Sequence, residues 1–255
     1  MRKLAKFSVA FLAAAILSST AASAEAALPK SEEFEYSWRL RGAPSWLASL
    51  RFPTSGVGEL KTSPLPDSGA IQTQLLITTP AGRDGFYLYR SDIDPSTTTT
   101  LVSYNGYEWG EKKKSERTLF DYVKKLLRIR KQDANEVENE VVPLPGNSRS
   151  MKDVLTGIYF LRQNADTLKA PLKTDIFSDG KIYSVVFSPG QSATLDVNGQ
   201  KIASRVFVIT AAPGQRNKFP GSVKVWLSTD SRRVPLRIEV QRSLAALQLD
   251  ITAIR

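Results

Sequence analysis

Along "EFEYSWRLR" (residues 33–41) apolar and polar residues alternate strictly after Glu33, with Phe34, Tyr36, Trp38 and Leu40 on one side and Glu35, Ser37, Arg39 and Arg41 on the other. That period of two predicts a half-buried strand. Residues 69–78, 85–90 and 98–109 are rich in Thr, Val, Ile and aromatics and bounded by Pro, Gly and Asp, so they read as further strands. Beyond Thr174 the same pattern predicts strands at 181–188, 192–197, 200–211, 221–229, 234–242 and 244–253, with Asn198-Gly199 as a tight hairpin turn.

Two stretches break the alternation. After "VVPLPGNSRS", Met151, Val154, Leu155, Ile158 and Leu161 form one apolar stripe. Ser150 as N-cap and Asp153 three residues on predict a helix running to about Arg162. Residues 116–131, "ERTLFDYVKKLLRIRK", fit two patterns. Leu119, Val123, Leu126 and Leu127 keep helical spacing; alternatively Thr118, Phe120 and Tyr122 alternate before a Lys124-Lys125 turn, with Leu127 and Ile129 after it and Arg128 and Arg130 facing water. Periodicity alone leaves both open.

No fixed-period repeat, low-complexity linker or composition break divides the chain. The expected architecture is a single mainly β domain over residues 25–255, built on one large curled antiparallel sheet. A sheet of more than about ten strands seldom stays flat, and one helix near residues 151–163 laid against it would leave a concave face.

The start of the chain carries a cationic segment (Arg2, Lys3, Lys6), an apolar run from Phe7 to Leu17 and then small residues ending in Ala22-Ser23-Ala24. This is the pattern of a secretory signal over residues 1–24. The run is shorter than the roughly 20 residues that span a bilayer. The expected mature protein is soluble and exported, with the periplasm of a Gram-negative bacterium as its destination. Having no cysteine at the cleavage point, it is not expected to be a lipoprotein.

Cysteine and histidine are both absent. This excludes disulfides, thiol nucleophiles, Ser-His-Asp catalysis and imidazole-based metal sites. No cofactor and no metal-ligand set is indicated. The carboxylate pairs Asp92 with Asp94 and Glu33 with Glu35 remain as candidates for glycan hydrolysis, which needs only two spaced acids. The first pair also fits a turn before the Thr run, and the second the wet face of a strand; neither comes with the further spaced oxygens of a Ca²⁺ site.

Charge is localised. The leader removes three cations and no anions from the 35 and 25 in the whole chain, leaving a net +7. Between residues 112 and 131, nine cations (Lys112, Lys113, Lys114, Arg117, Lys124, Lys125, Arg128, Arg130 and Lys131) face two anions, also +7. A charge run is ordinarily a solvated face; one holding the whole excess is also a candidate for an anionic envelope surface, with binding that weakens in salt. An exported protein is not expected to meet nucleic acid.

In "VKVWLSTDSRRVPLRIEV" (223–240) one face is aliphatic and the other carries Trp226 and Arg237, with Arg232 and Arg233 after the turn formers Asp230 and Ser231. The plain reading is a hairpin with a solvated end. The sharper one makes Trp226, Arg232, Arg233 and Arg237 a ligand site, because a guanidinium can fork a carboxylate or phosphate.

At "DVLTGIYFLR" (153–162), "DGKIYSVVF" (179–187) and "VWLSTDSRRVPLRIEV" (225–240) the chain resembles the bacterial family of domain of unknown function 3108, whose members are envelope proteins. The resemblance is tightest over 150–242. It implies a hairpin at 116–131 and a half-barrel-like sheet similar to periplasmic lipoprotein carriers, and it brings no catalytic residues. The chain departs from the family at Ser243-Leu244-Ala245-Ala246, where glycine is frequent in the last hairpin turn. Together these features lead to the expectation of a non-catalytic periplasmic protein that binds an apolar or amphiphilic envelope molecule, a lipid for example. The alternatives are an envelope assembly protein acting through protein contacts, and a carboxylate-based glycan hydrolase.

Overall fold

The computed structural model describes residues 31–42, 53–66, 68–79, 85–145, 150–215, 219–242 and 245–255; the expected leader at 1–24 lies outside them, as do residues 243 and 244 of the last turn. Strands β1 (Glu32–Gly42), β2 (Ser55–Pro64), β3 (Ile71–Thr78), β4 (Gly85–Asp94), β5 (Thr99–Trp109), β6 (Lys112–Asp121), β7 (Leu126–Asp133) and β8 (Glu136–Pro143) precede helix α1 (Val154–Gln163). Then follow β9 (Leu172–Ser178), β10 (Lys181–Val197), β11 (Gln200–Ala211), β12 (Ser222–Ser228), β13 (Pro235–Arg242) and β14 (Ala245–Ile254).

All fourteen strands form one antiparallel sheet in the order β8-β7-β6-β5-β4-β3-β2-β1-β14-β13-β12-β11-β10-β9. The first and last strands lie side by side in the middle, and the two edges, β8 and β9, are consecutive in the chain. The sheet is therefore a curled half-barrel, not a closed barrel, and the stretch holding α1 spans its opening. Just before the helix, Lys152 makes a parallel bridge to Ile176, its carbonyl accepting from Phe177 N at 2.7 Å, while Met151 O accepts from Thr100 N at 3.0 Å. Those two bonds clip an edge strand to β5 across the concavity.

Hydrophobic alternation builds the interior. Phe34, Tyr36 and Trp38 are buried together with Leu75, Ile77, Phe187, Phe207, Val225 and Leu249 in one core, into which α1 inserts Leu155, Ile158 and Leu161. Each fully buried large side chain of this kind contributes about 1.5–3 kcal/mol. A second cluster of Phe120, Leu127, Ile129, Met151 and Phe177 seals the far end.

The helix starts later than the stripe predicts. Asp153 is the N-cap, accepting from Thr156 N at 2.8 Å, and Ser150 is not. Met151 and Lys152 are instead extended, because their backbone is engaged by β5 and β9. Residues 116–131 form a hairpin: Thr118, Phe120, Leu127 and Ile129 are buried, Arg128 and Arg130 exposed, and Lys125 takes a positive φ of 54° in the turn. Asn198 and Gly199 form the expected turn, with φ of 52° and 81°. The segments 181–188 and 192–197 are one strand, β10, irregular at Pro189–Ser192. Strands β2, β8 and β9 are additional to those the alternation predicts.

Candidate functional site

The register makes the concave surface change character across the sheet. Leu40, Leu247, Val240, Val223, Ile209 and Phe187 are successive partners from β1 through β14 to β10, apolar throughout. In the other direction, Phe34, Leu60, Leu75, Tyr89, Asn105, Glu116, Lys131 and Glu138 are successive partners from β1 to β8. A parallel row runs Tyr36, Gly58, Ile77, Tyr87, Tyr107, Lys114 and Asp133. Both rows turn from apolar to polar at β4, and at that seam both place a tyrosine. Tyr87 and Tyr89 follow from the alternation of "GFYLYR", in which every second residue shares a face.

Two cavities lie on either side of the seam. The first, about 360 Å³, is walled by aliphatic side chains from β1, β3, β13 and β14, by Ile158 of α1 and by Phe219. Its charged members, Asp179 and Arg242, form a 3.2 Å ion pair. The second, about 480 Å³, is lined by Tyr87, Tyr89, Tyr107, Asn105, Glu116, Lys131 and neighbouring polar groups. Tyr89 and Asp179 belong to both, so the two are adjacent. Cavities of this size hold small ligands.

The second cavity's charges are organised. Glu116 accepts from Gly180 N at 3.0 Å, which joins β6 to the β9–β10 turn. Burial pushes its carboxyl above the usual range, opposed by the Lys131 ammonium and the Gly180 N–H. Lys131 contacts Glu140 at 2.9 Å, and Lys114 pairs with Asp133.

The helix that roofs the first cavity is fixed at both ends. At its start, Asp153 is buried, accepts from Ser91 Oγ, and donates its own N–H to Thr100 Oγ1 at 2.9 Å. Burial raises its pKa, opposed by the hydrogen bonds its carboxylate accepts from Ser91 and Thr156. At its end, Arg162 pairs with Glu32 through both terminal guanidinium nitrogens and donates to the carbonyls of Arg232 and Arg233 at 2.9 and 3.0 Å.

The Arg232-Arg233 turn therefore serves α1 through its backbone. The Arg233 side chain reaches Asp166 at 2.5 Å and its own turn carbonyls, while Arg232 is exposed. Arg237 sits 5.7 Å over the Trp226 ring and pairs with Asp250, on the opposite face of its strand from Ile238. None of Trp226, Arg232, Arg233 and Arg237 lines either of the two cavities.

The 112–131 cluster is divided by the pleat. Lys114 and Lys131 face the concave side, Lys124 and Lys125 sit in the hairpin turn, and Arg117, Arg128 and Arg130 are exposed on the outer face. Lys113 meets Glu108 at 3.2 Å and Arg128 meets Asp121 at 3.9 Å. Lys112, partner of Trp109, is exposed at the rim. Arg117 stands directly opposite Arg130, and exposed Leu119 and Val141 flank Arg128 across the strands.

The candidate acids are engaged elsewhere. Asp94 accepts from Ser96 N, Ser96 Oγ and Thr97 Oγ1 at 2.7–2.9 Å, which holds its pKa down, and Asp92 accepts from Gln72 at 2.8 Å. Glu33 contacts Lys61 and Arg255 at 3.4 Å each, and Glu35 contacts Arg255 at 2.5 Å.

Residues 72–252 match the family described as protein of unknown function DUF3108. The chain belongs to this family. The DUF3108 match thus extends from β3 to β14, well beyond the tightest region of resemblance at 150–242. Among curated proteins none matches. Among solved structures, this DUF3108 chain is similar to a beta-barrel-like protein of domain of unknown function DUF1849 from Brucella abortus, with a TM-score of 0.60 at 8% identity. The likeness covers 89% of this chain and 98% of the other, and it is one of fold.

Proposed function

We propose that this is a non-catalytic, exported protein of the periplasm that holds an apolar or amphiphilic envelope molecule inside its curled sheet. The observation that carries this is the 360 Å³ cavity, adjacent to a polar one and walled by aliphatic side chains where a filled core would leave no space. Apolar pockets with a few convergent polar groups are ordinary ligand sites. The leader pattern at residues 1–24 supports export, and no helix of the described residues is long and apolar enough to cross a membrane. The non-catalytic part is supported by the candidate acids, which are taken up in turn hydrogen bonds and surface ion pairs.

The outer face of the β6–β7 hairpin is the docking side of this proposal. Like charges directly across a strand pair destabilise it, and Arg117 and Arg130 have no ion pair among the described residues. An anionic lipid surface would neutralise them, with Leu119 and Val141 beside them for apolar contact.

The assembly reading would use the free sheet edges. It is disfavoured at β8, where Glu136, Glu138 and Glu140 guard the edge, a common protection against strand addition.

The test is a fluorescence titration of the mature chain with N-phenyl-1-naphthylamine, an apolar dye that brightens out of water. Saturable uptake is expected, reduced at least about tenfold when Leu75→Trp fills the cavity. An absence of saturable uptake would reject the ligand-binding role.

A further inference from the structure

The polar cavity next to the apolar one selects the headgroup, and we infer that it takes an uncharged saccharide. This rests on the proposed binding of an amphiphile in the apolar cavity and adds the chemistry of the ligand's other end.

Three observations carry it. First, Tyr87 and Tyr107 lie with ring centroids 5.8 Å apart and planes inclined at 31°, and Tyr87 and Tyr89 are 43% and 37% exposed although they belong to the concave surface. Tyrosines left open in a concavity offer ring faces for the C–H side of a sugar ring, and hydroxyls for its edge. Second, the wall supplies the mixed donors and acceptors a polyol needs. Asn105 presents both, and Glu116 and Glu138 accept.

Third, the electrostatics disfavour an anionic headgroup. The lining has two ammoniums, Lys114 and Lys131, against four carboxylates, Glu116, Asp133, Glu138 and Asp179. Both ammoniums are already ion-paired, to Asp133 and Glu140. A phosphate would find no free cation there and an excess of negative charge. A neutral sugar meets neither penalty, and no buried charge is stranded when it binds. The seam at Tyr87 and Tyr89 then falls where the sugar joins the chain: rings and hydroxyls on one side, Leu75 and Ile77 on the other.

The test uses amphiphiles of one chain length below their micelle concentrations, with affinities read by isothermal titration calorimetry on the mature protein. Dodecyl maltoside is expected to bind at least about tenfold tighter than dodecyl phosphate and dodecyltrimethylammonium. Tyr87→Ala with Tyr107→Ala should lower dodecyl maltoside affinity more than dodecyl phosphate affinity and so remove that margin; Tyr107→Phe, which keeps the ring, should retain most of it. Equal binding of all three amphiphiles would overturn the headgroup inference and leave the apolar site standing. Tighter binding of the ammonium would overturn it in favour of a cationic headgroup. Failure of every dodecyl compound to bind would overturn both.

Discussion

Arg162 and Glu32 meet between the last turn of α1 and the start of β1 through paired nitrogen–oxygen contacts, Nη2 to Oε2 at 2.9 Å, with side chains only 4% and 9% exposed. The same guanidinium donates to the carbonyls of Arg232 and Arg233 and lies 5.5 Å over the Phe34 ring. One side chain thus joins the end of α1, the first strand and the β12–β13 turn. Removing one partner of a buried pair strands the other charge, at about 3–5 kcal/mol. Arg162→Met is therefore expected to lower stability by about that amount in urea unfolding. Glu32→Leu with Arg162→Met should lose less than Arg162→Met alone, since no lone charge remains.

At the other end of α1, Asp153 caps the helix and receives Ser91 and Thr156. Asp153→Ala removes the cap, worth about 0.5–2 kcal/mol, and leaves Ser91 without its acceptor. A fall in melting temperature is expected, and Asp153→Asn should recover most of it, because Asn also caps. Equal melting temperatures for the Ala and Asn variants would show that the cap is not what holds the helix.

Glu116 gives a pH signature. Its folded pKa is raised by burial above the reference value of 4.5, so the folded state binds more protons than the unfolded one between those values. Its contribution to stability is present below about pH 4.5 and is lost as pH rises through the folded pKa. Glu116→Gln keeps the acceptor for Gly180 N–H and should flatten that decline. Thermal melts of both proteins from mildly acid to neutral pH give the comparison, with a smaller gap at the acid end.

On the outer face, Arg130→Gln relieves the like-charge pairing with Arg117, so stability should hold or rise by about 0.2–1 kcal/mol. The same variant should bind anionic liposomes more weakly, with a shallower salt dependence. Sedimentation with phosphatidylglycerol vesicles at two salt concentrations reads this out. Unchanged binding would remove the docking surface from the account.

Much of the fold was legible because buried strands alternate: Phe34, Tyr36 and Trp38 in β1 and Leu236, Ile238 and Val240 in β13 are the inward residues of strict period-two runs. The strands that escaped have physical reasons to. In β2, Gly56 occupies an apolar position because a side chain there would strike Thr78 O and Trp38, whose indole N–H donates to that carbonyl at 2.7 Å. Strand β8 is an exposed edge with almost no buried residue to give a pattern, and β9 is exposed over its first half. The helix start misled because Met151 is as buried as a helical stripe demands, but on an extended segment.

The site was less legible than the fold. Arg232 and Arg233 attracted notice as side chains, yet their backbone carbonyls are what Arg162 uses. The polar cavity depends on register: Tyr89, Asn105, Glu116 and Lys131 are ordinary strand residues until four strands place them in one row. No spacing within a single segment encodes that.

The central claim, an occupied interior, is tested most directly by native mass spectrometry of the mature protein isolated without detergent, beside the same sample denatured. The account predicts an added mass in the native spectrum that is lost on denaturation and diminished in Leu75→Trp. A bare protein mass that also fails to gain dodecyl maltoside on titration would contradict it.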